Sequence, residues 1–137
     1  MGSGSKQVAL VVPAAGSGSR MGAETPKPYL TIAGKTILEH TLLQFSQVKA
    51  IKELIVSTSE FYKDQTQEIV ASVFSDIKLK VVEGGSERQD SVFKAIQLVS
   101  DSSDLIAVHD AVRPFVSRQL ILECIRAASK REFDGAI

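Results

Sequence analysis

The residues best suited to chemistry begin in a glycine-rich stretch after the first apolar run. Residues 13–22 read Pro-Ala-Ala-Gly-Ser-Gly-Ser-Arg-Met-Gly. Small residues let backbone N–H groups approach an anion closely, and turned amides can cradle phosphate oxygens. Arg20 lies in this stretch and Lys27 follows it seven residues later. Two cations beside a phosphate cradle suit nucleotidyl transfer, in which catalysis is mainly positioning and charge stabilisation. A flexible turn with solvated cations is the alternative interpretation.

A carboxylate follows a later apolar run. Asp110 stands in His-Asp-Ala-Val-Arg-Pro at 109–114, directly after the run at 105–108. A carboxylate at the carboxyl end of a strand is well placed to hold Mg²⁺ against nucleotide phosphates. Pairing with Arg113 or capping of a turn is the competing role for Asp110. The sequence indicates no zinc site and no Ser-His-Asp arrangement.

Two common phosphate-binding motifs fail on spacing. A dinucleotide fingerprint beginning at Gly16 requires glycine at the sixth position, where Met21 stands. A P-loop ending in Gly34-Lys35-Thr36 requires glycine five residues before Gly34, where Tyr29 stands. Neither motif is present.

Apolar runs alternate with amphipathic stretches along the whole chain. Residues 8–12, 54–56, 79–82 and 105–108 are expected to be buried strands. Residues 36–39 and 86–89 have the spacing of capping boxes that open helices. Helical spacing predicts four buried stripes, which are Ile37, Leu38, Thr41, Leu42 and Phe45; Phe61, Ile69, Val70 and Val73; Val92, Ala95, Ile96 and Val99; and Leu120, Ile121, Cys124, Ile125 and Ala128.

This alternation predicts an α/β fold, a Rossmann-like, mostly parallel sheet with helices on both sides. Ligands of such sheets bind at the carboxyl ends of the strands. Three loops follow strands directly, at 13–28, 83–91 and 109–115, and they contain most of the chemically suggestive residues.

Composition restricts the partners and the compartment. Acidic and basic side chains balance at 16 each, which argues against a nucleic-acid surface. No apolar run approaches the ~20 residues that cross a membrane, so no membrane partner is expected. The single cysteine, Cys124, excludes an internal disulfide and fits a cytoplasmic setting, although an organelle-targeting peptide could have preceded the chain.

The chain divides into two unequal parts. Residues 1–5 resemble an expression scar, and residues 6–137 are expected to be the nucleotide-binding portion of one domain. The sequence stops at 134–137, where another buried strand is expected to begin, so the C-terminal part of the domain is expected to be missing.

Four motifs in order resemble the 2-C-methyl-D-erythritol 4-phosphate cytidylyltransferase family of the non-mevalonate isoprenoid pathway. They are Pro-Ala-Ala-Gly-x-Gly-x-Arg-Met-Gly from 13, Pro-Lys-x-Tyr-Leu from 26, Gly-Gly-x-x-Arg-x-x-Ser-Val from 84 and Val-His-Asp-Ala-x-Arg-Pro from 108. The resemblance spans residues 8–137 and implies a nucleotidyltransferase (GT-A-like) fold. It implies transfer of CMP from CTP to the polyol phosphate, with release of pyrophosphate.

The resemblance also implies roles for individual residues. Arg20 and Lys27 would be catalytic, stabilising the pentacoordinate α-phosphorus, and Asp110 would bind Mg²⁺. The remaining residues would contact the nucleotide: Pro13, Ala14, Ala15, Gly16, Gly18, Gly85, Ser86, Arg88, Ser91 and Ala111. The acceptor's own phosphate is the nucleophile, so no general base is required.

Two departures from the family pattern stand out. Pro28 replaces the usual glutamine beside Lys27, which predicts a stiffer loop without lost activity. The family's last third, which forms the dimerising arm and much of the polyol-phosphate site, has no counterpart here. The full-length protein is therefore expected to be a homodimer, and the 137-residue chain to bind CTP with little or no turnover.

Three alternatives remain open. Ribitol-5-phosphate cytidylyltransferases share the glycine loop and the His-Asp-Ala-Val-Arg-Pro run, although the double alanine at 14–15 and Arg-x-x-Ser-Val at 88–92 favour the isoprenoid enzyme. A catalytically incomplete nucleotide-binding fragment is the second alternative, whereas a regulatory or inactive nucleotide-binding module is disfavoured by the presence of Arg20, Lys27 and Asp110. A dinucleotide-dependent dehydrogenase is disfavoured by the misplaced glycine.

Overall fold

The computed structural model describes residues 6–15, 25–85 and 87–129. Their strands and helices, in chain order, are β1 Val8–Pro13, β2 Thr31–Ile32, β3 Lys35–Thr36, α1 Ile37–Phe45, β4 Ile51–Thr58, α2 Lys63–Val73, β5 Lys78–Glu83, α3 Arg88–Ile96, β6 Leu105–Val108 and α4 Arg118–Ala128. Single 3-10 turns occupy Lys27–Tyr29 and Glu60–Tyr62.

Four strands form a parallel sheet in the order β5-β4-β1-β6. From β1 the chain adds β4 and then β5 on one side, and it crosses back to add β6 on the other side of β1. Right-handed crossovers that run in opposite directions place their helices on opposite faces of a sheet. Accordingly, α1 and α2 pack on one face and α3 on the other. The predicted α/β fold is confirmed.

The two central strands explain why the strongest apolar runs are continuous rather than alternating. Every residue of β1 is buried, and so is every residue of β4 except Lys52. Strands covered on both faces need apolar side chains at successive positions. Val8, Leu10 and Val12 face the larger core beneath α1, α2 and α4, while Val11 and Ile55 face Ala95 of α3.

The start of α1 confirms Thr36 as the predicted N-cap residue, and the start of α3 contradicts the prediction for Ser86. The Thr36 hydroxyl accepts a hydrogen bond from the Glu39 N–H at 3.1 Å. In contrast, α3 begins at Arg88 with Glu87 as its N-cap residue and with no side-chain capping bond. The predicted start at Ser86 was too early because capping-box spacing does not fix the backbone conformation of the preceding Gly-Gly loop.

Several predicted helix-face residues are placed differently. Phe61 lies in the 3-10 turn before α2 and is 84% exposed. Val99 lies beyond the end of α3, although it still packs beside Ala95. Leu120 is half exposed at the beginning of α4. Each of these apolar residues lies at or beyond an element end, where helical periodicity no longer determines the face.

Residues 31–36 form a tight antiparallel hairpin, for which the sequence carried no prediction. Thr31 pairs with Thr36 and Ile32 with Lys35. The two loop residues, Ala33 and Gly34, have φ of 54° and 85°, which is the left-handed pair that a type I′ hairpin turn requires. Gly34-Lys35-Thr36 therefore belongs to a hairpin, in agreement with its rejection as a P-loop.

None of the helices in residues 6–15, 25–85 and 87–129 has the length and apolar character to span a membrane.

Candidate functional site

The loop after β1 begins at the centre of the sheet. Pro13 is paired with Ser57 of β4, and the Ala14 N–H donates to the Ser57 carbonyl at 2.7 Å. Pro13 and Ala14 are buried, whereas Ala15 is half-buried. These bonds fix the point from which the glycine-rich loop leaves the sheet. The predicted residues Gly16, Gly18 and Arg20 lie outside the described residues.

The loop after β5 closes onto the first loop. The Gly84 N–H donates to the Thr58 carbonyl at 2.8 Å, which attaches the loop to the end of β4. A Cβ added to Gly84 would lie 2.6 Å from both the Ala15 Cβ and the Ser91 Oγ. Gly84 thus permits an approach between loops that no larger residue could make without displacement.

Ser91 connects α3 to the same loop. Its side chain is buried, and its Oγ accepts a hydrogen bond from the Gly85 N–H at 3.0 Å. The hydroxyl donates in turn to the Glu87 carbonyl at 3.3 Å. Gly85 and Ser91 are therefore brought together, as the sequence prediction requires. Ser86 and the side chain of Arg88 lie outside the described part of the chain.

The loop after β6 lies on the other side of β1. The His109 N–H donates to the Val11 carbonyl at 3.0 Å. Ala111 is buried, and its carbonyl accepts from the Thr41 hydroxyl of α1 at 2.8 Å. The His109 ring also packs edge-on against Phe45, with ring centroids 4.9 Å apart. Helix α1 thus fixes the loop that carries Asp110.

The Asp110 side chain caps a turn and lies near Arg113, which is the structural role considered as the alternative to metal binding. Its Oδ1 accepts from the Val112 N–H at 3.1 Å, and its Oδ2 lies 3.9 Å from the Arg113 Nε. The second contact is at the outer limit of an ion pair, and the Arg113 side chain is largely exposed. Exposed pairs of this kind contribute little to stability. The Asp110 carboxylate therefore keeps lone pairs that a ligand can use.

The single carboxylate of Asp110 suits a metal ion that is held mainly by substrate oxygens and water. Among the described residues no group of three His, Cys, Asp or Glu side chains could enclose a metal ion. Mg²⁺ at nucleotide sites takes one or two carboxylates, substrate phosphate oxygens and waters, rather than an all-protein cage. A single partly exposed carboxylate at a strand end fits that requirement.

Lys27 begins a short 3-10 turn that the sequence pattern did not predict. The Tyr29 N–H donates to the Pro26 carbonyl at 3.0 Å, and the Leu30 N–H donates to the Lys27 carbonyl at 3.2 Å. Pro28 occupies the second position of this turn, where its missing N–H would have no helical partner in any case. The side chain of Lys27 is exposed and forms no ion pair with any described residue.

Tyr29 attaches this turn to the sheet and to α2. Its hydroxyl lies 2.5 Å from the Thr58 Oγ1 and 2.7 Å from the Thr66 Oγ1, with both threonines fully buried. Burial raises the pKa of the Tyr29 phenol, and the hydrogen bonds with Thr58 and Thr66 offset only part of that rise. The phenol therefore stays protonated at neutral pH and can donate a hydrogen bond.

The structure thus brings together Ala15, Gly85 and Ser91, and it fixes Asp110 and Ala111 beside β1. The turn that carries Lys27 is linked to this edge through the hydrogen bond between the Tyr29 and Thr58 hydroxyls. Sequence reasoning missed the contributions of Thr41, Tyr29, Thr58 and Thr66. A signal existed for Tyr29 alone, which stands inside the Pro-Lys-x-Tyr-Leu motif.

The strand order and the three convergent loops define a doubly wound α/β protein, the class in which ligands bind where the strand order reverses beside β1. The sequence profile described as IspD: 2-C-methyl-D-erythritol 4-phosphate cytidylyltransferase matches residues 8–137. The chain belongs to this family.

Individual relatives agree with this assignment. The 2-C-methyl-D-erythritol 4-phosphate cytidylyltransferase of Photobacterium profundum is 46% identical over 134 residues, which cover 96% of this chain and 55% of that protein. The bifunctional enzyme IspD/IspF of Desulfotalea psychrophila is 35% identical over 125 residues, which cover 91% of this chain and 32% of that protein. The chain spans about half the length of the single-function curated relatives it matches.

A solved structure shows the same architecture. The crystal structure of 4-diphosphocytidyl-2C-methyl-D-erythritol synthase from Anaerococcus prevotii superposes with a TM-score of 0.77 at 34% identity, covering 92% of this chain and 52% of that one. The predicted nucleotidyltransferase type of the α/β fold is confirmed by this neighbour.

Proposed function

We propose that the protein transfers CMP from CTP to 2-C-methyl-D-erythritol 4-phosphate and releases pyrophosphate, as a step of the non-mevalonate isoprenoid pathway. The match of the family profile to residues 8–137 carries this proposal. The names of the Photobacterium and Anaerococcus relatives support the same reaction. A cytoplasmic location agrees with the use of a single cysteine.

The carboxyl edge of the sheet supplies the nucleotide end of this reaction. In the proposal, CTP lies along the loops after β1, β5 and β6. The tight approach of Gly84 to Ala15 and the Ser91–Gly85 bond support a base and ribose pocket between the first two loops. The hydrogen bond from Thr41 to the Ala111 carbonyl fixes the loop after β6, and in the proposal this loop contacts the nucleotide on the opposite side of β1.

The chemistry joins two phosphates. A phosphate oxygen of the acceptor attacks the α-phosphorus of CTP, a new P–O bond forms, and the bond to the α,β-bridging oxygen breaks to release pyrophosphate. In the proposal, the ammonium of Lys27 and the guanidinium of Arg20 stabilise the negative charge on the pentacoordinate phosphorus. Mg²⁺ held by Asp110 would neutralise phosphate charge and orient the triphosphate. The attacking phosphate is already anionic, so no side chain has to remove a proton.

For the whole protein, the proposal also includes the acceptor and the oligomeric state. Family membership supports a phosphorylated polyol as acceptor. In the proposal, the working assembly is a homodimer, and neither nucleic acid nor a membrane is a partner. The balanced net charge of this chain supports the exclusion of nucleic acid.

The proposal is tested by offering the full-length protein CTP and Mg²⁺ with either methylerythritol phosphate or ribitol 5-phosphate and identifying the product by mass spectrometry. The proposal predicts the cytidine diphosphate derivative of methylerythritol together with one equivalent of pyrophosphate. Formation of the ribitol derivative alone would show that the acceptor is ribitol 5-phosphate and not methylerythritol phosphate. Tight CTP binding without any product from either acceptor would favour a catalytically incomplete nucleotide-binding chain.

A further inference from the structure

A line of three buried hydroxyl groups connects the turn of Lys27 to the carboxyl end of β4. It contains Tyr29 in the turn, Thr58 at the end of β4 and Thr66 in α2. Tyr29 is 29 residues from Thr58 and 37 residues from Thr66 along the chain, so only the tertiary fold brings them together. None of the three has a role among the nucleotide contacts proposed above.

The direction of each hydrogen bond in this line follows from counting protons. The Thr66 hydroxyl donates its one proton to the Tyr62 carbonyl at 2.7 Å. It must therefore accept from Tyr29, because each hydroxyl has a single donor. The Tyr29 proton is then used, so Tyr29 accepts from Thr58. Every buried donor in the line is satisfied in this arrangement, and no alternative direction satisfies all of them.

The ring of Tyr29 is held as firmly as its hydroxyl. It stacks on the ring of Tyr62, with centroids 4.3 Å apart and planes 9° from parallel. Tyr62 ends the 3-10 turn that follows β4, and the Thr58 carbonyl accepts from the Gly84 N–H. The Tyr29 side chain thus joins the Lys27 turn to the same strand end that anchors the loop after β5.

The turn itself is too short to hold its own shape. It consists of three residues with two backbone hydrogen bonds, and isolated turns of this length are marginal in water. Lys27 is exposed on this turn, so its position depends on what fixes the backbone beneath it. A displacement of about 1 Å in a group that stabilises a transition state can cost on the order of 100-fold in rate.

We propose that Tyr29 is a positioning residue, whose hydroxyl, held between Thr58 and Thr66, fixes the turn that presents Lys27 to the reacting phosphates. This inference rests on the proposed function of Lys27. Tyr29 does not touch the substrate in this account and acts only through the lysine.

Tyr29→Phe tests the inference, because it keeps the ring and its stacking and removes only the hydroxyl. Tyr62→Phe is the matched control, since it removes the hydroxyl of the stacking partner. Two measurements are made on each variant of the full-length protein: amide hydrogen exchange across the chain, and steady-state CMP transfer with separate kcat and KM for CTP. Both are repeated in a Lys27→Ala background.

Three results are expected. In Tyr29→Phe, the amides of Tyr29 and Leu30 exchange at least tenfold faster, while those of Leu10 and Val12 are unchanged. The kcat for CMP transfer falls at least tenfold with less than a twofold change in KM. In Lys27→Ala, adding Tyr29→Phe causes no further loss, because a residue that acts through the lysine has nothing left to position. Tyr62→Phe leaves the amide exchange rates, the kcat and the KM for CTP unchanged.

Other results would overturn the inference. Unchanged exchange at Tyr29 and Leu30 would show that the hydroxyl does not hold the turn. Faster exchange with equal losses of kcat in the presence and absence of Lys27 would show a role independent of the lysine. Absence of CMP transfer by the unaltered protein would contradict the proposed function instead, and the exchange rates would still decide whether Tyr29 anchors the turn.

Discussion

At the residue scale, Lys27 and Asp110 differ in the structural contacts that their side chains make. Lys27 has an exposed side chain without an ion-pair partner among the described residues. Asp110 already accepts a hydrogen bond from Val112 and lies near Arg113. Because the Lys27 side chain makes no ion pair with a described residue, its removal should lower the rate of CMP transfer with little change in the free energy of unfolding.

Lys27→Ala is expected to lower the rate of CMP transfer by about 10²–10³-fold, equivalent to about 3 kcal/mol of lost charge stabilisation at the α-phosphorus. The measurement is pyrophosphate release by the full-length protein at saturating CTP, with the midpoint of thermal unfolding recorded for each variant. Lys35→Ala, at another exposed lysine in the neighbouring hairpin, is the matched control and should retain the full rate. Equal losses in the two variants would remove Lys27 from the mechanism.

The sequence predicted some residue-scale contacts and could not predict others. Gly85 and Ser91 belong to one local motif, and the structure joins them by a hydrogen bond. Tyr29, Thr58 and Thr66 belong to three separate segments, and no local pattern indicates that their hydroxyls meet. Thr41 fitted the apolar stripe of its helix by spacing alone, yet its hydroxyl supports the loop of Ala111.

At the element scale, the site depends on how closely the loops after β1 and β5 approach each other. Gly84 is the point of contact, with Ala15 on one side and Ser91 of α3 on the other. Its φ does not lie in the left-handed region, so the requirement for glycine is steric rather than conformational. A larger residue must push two loops apart.

Gly84→Ala is expected to weaken CTP binding at least tenfold and to lower the free energy of unfolding by about 1–3 kcal/mol, the usual effect of overpacking. Calorimetric titration with CTP and chemical unfolding measure the two effects. Gly34→Ala is a useful contrast, because φ is +85° there while an added Cβ meets nothing within 4 Å. It should cost about 1 kcal/mol of stability and leave CTP affinity unchanged. Undiminished CTP binding by Gly84→Ala would argue against a pocket between these loops.

Elements with a strong hydrophobic period were predictable, and short ones were not. The apolar run at 105–108 coincides with β6, and the run at 54–56 is the centre of the longer β4. The expectation that 105–108 would be buried is wrong, because β6 lies at an edge of the described sheet and its Ile106 and Val108 side chains are exposed. The 3-10 turn at Lys27–Tyr29 and the β2–β3 hairpin contain two or three residues per element, too few to show a period. The N-cap residue of α3 is Glu87 rather than the predicted Ser86, a shift of one residue that the spacing of polar side chains alone does not determine.

At the scale of the whole molecule, a buried carboxylate ties the segment after α3 to the sheet. Glu53 of β4 is 1% exposed, with its Oε1 accepting from the Ser100 N–H at 3.0 Å and its Oε2 lying 3.1 Å from the Lys80 Nζ of β5. Burial alone would raise the pKa of Glu53, but the hydrogen bond from Ser100 and the charge of Lys80 more than offset it and lower the pKa.

The lowered pKa of Glu53 predicts a pH-dependent contribution to stability. A carboxyl whose pKa is lower in the folded state contributes fully above its unfolded pKa, near 4.3, and loses that contribution as the pH falls through the folded value. Lys80→Met should therefore lower the free energy of unfolding by about 1–3 kcal/mol at pH 7, with a smaller difference below pH 4. Lys78→Met, at an exposed lysine on the same strand, is the control. A Lys80→Met deficit that does not change with pH would contradict this account.

The central claim for the molecule is that its carboxyl edge is a CTP site. The most direct measurement is thermal unfolding of this chain with Mg²⁺ and, in turn, CTP, UTP, ATP or NAD. A ligand at 100 times its dissociation constant adds about 2.7 kcal/mol of stability, which for a chain of this size raises the midpoint by roughly 8 °C. The account predicts that CTP produces such a shift and that the other three produce much smaller ones. A shift with NAD alone, or equal shifts with all four ligands, would contradict it.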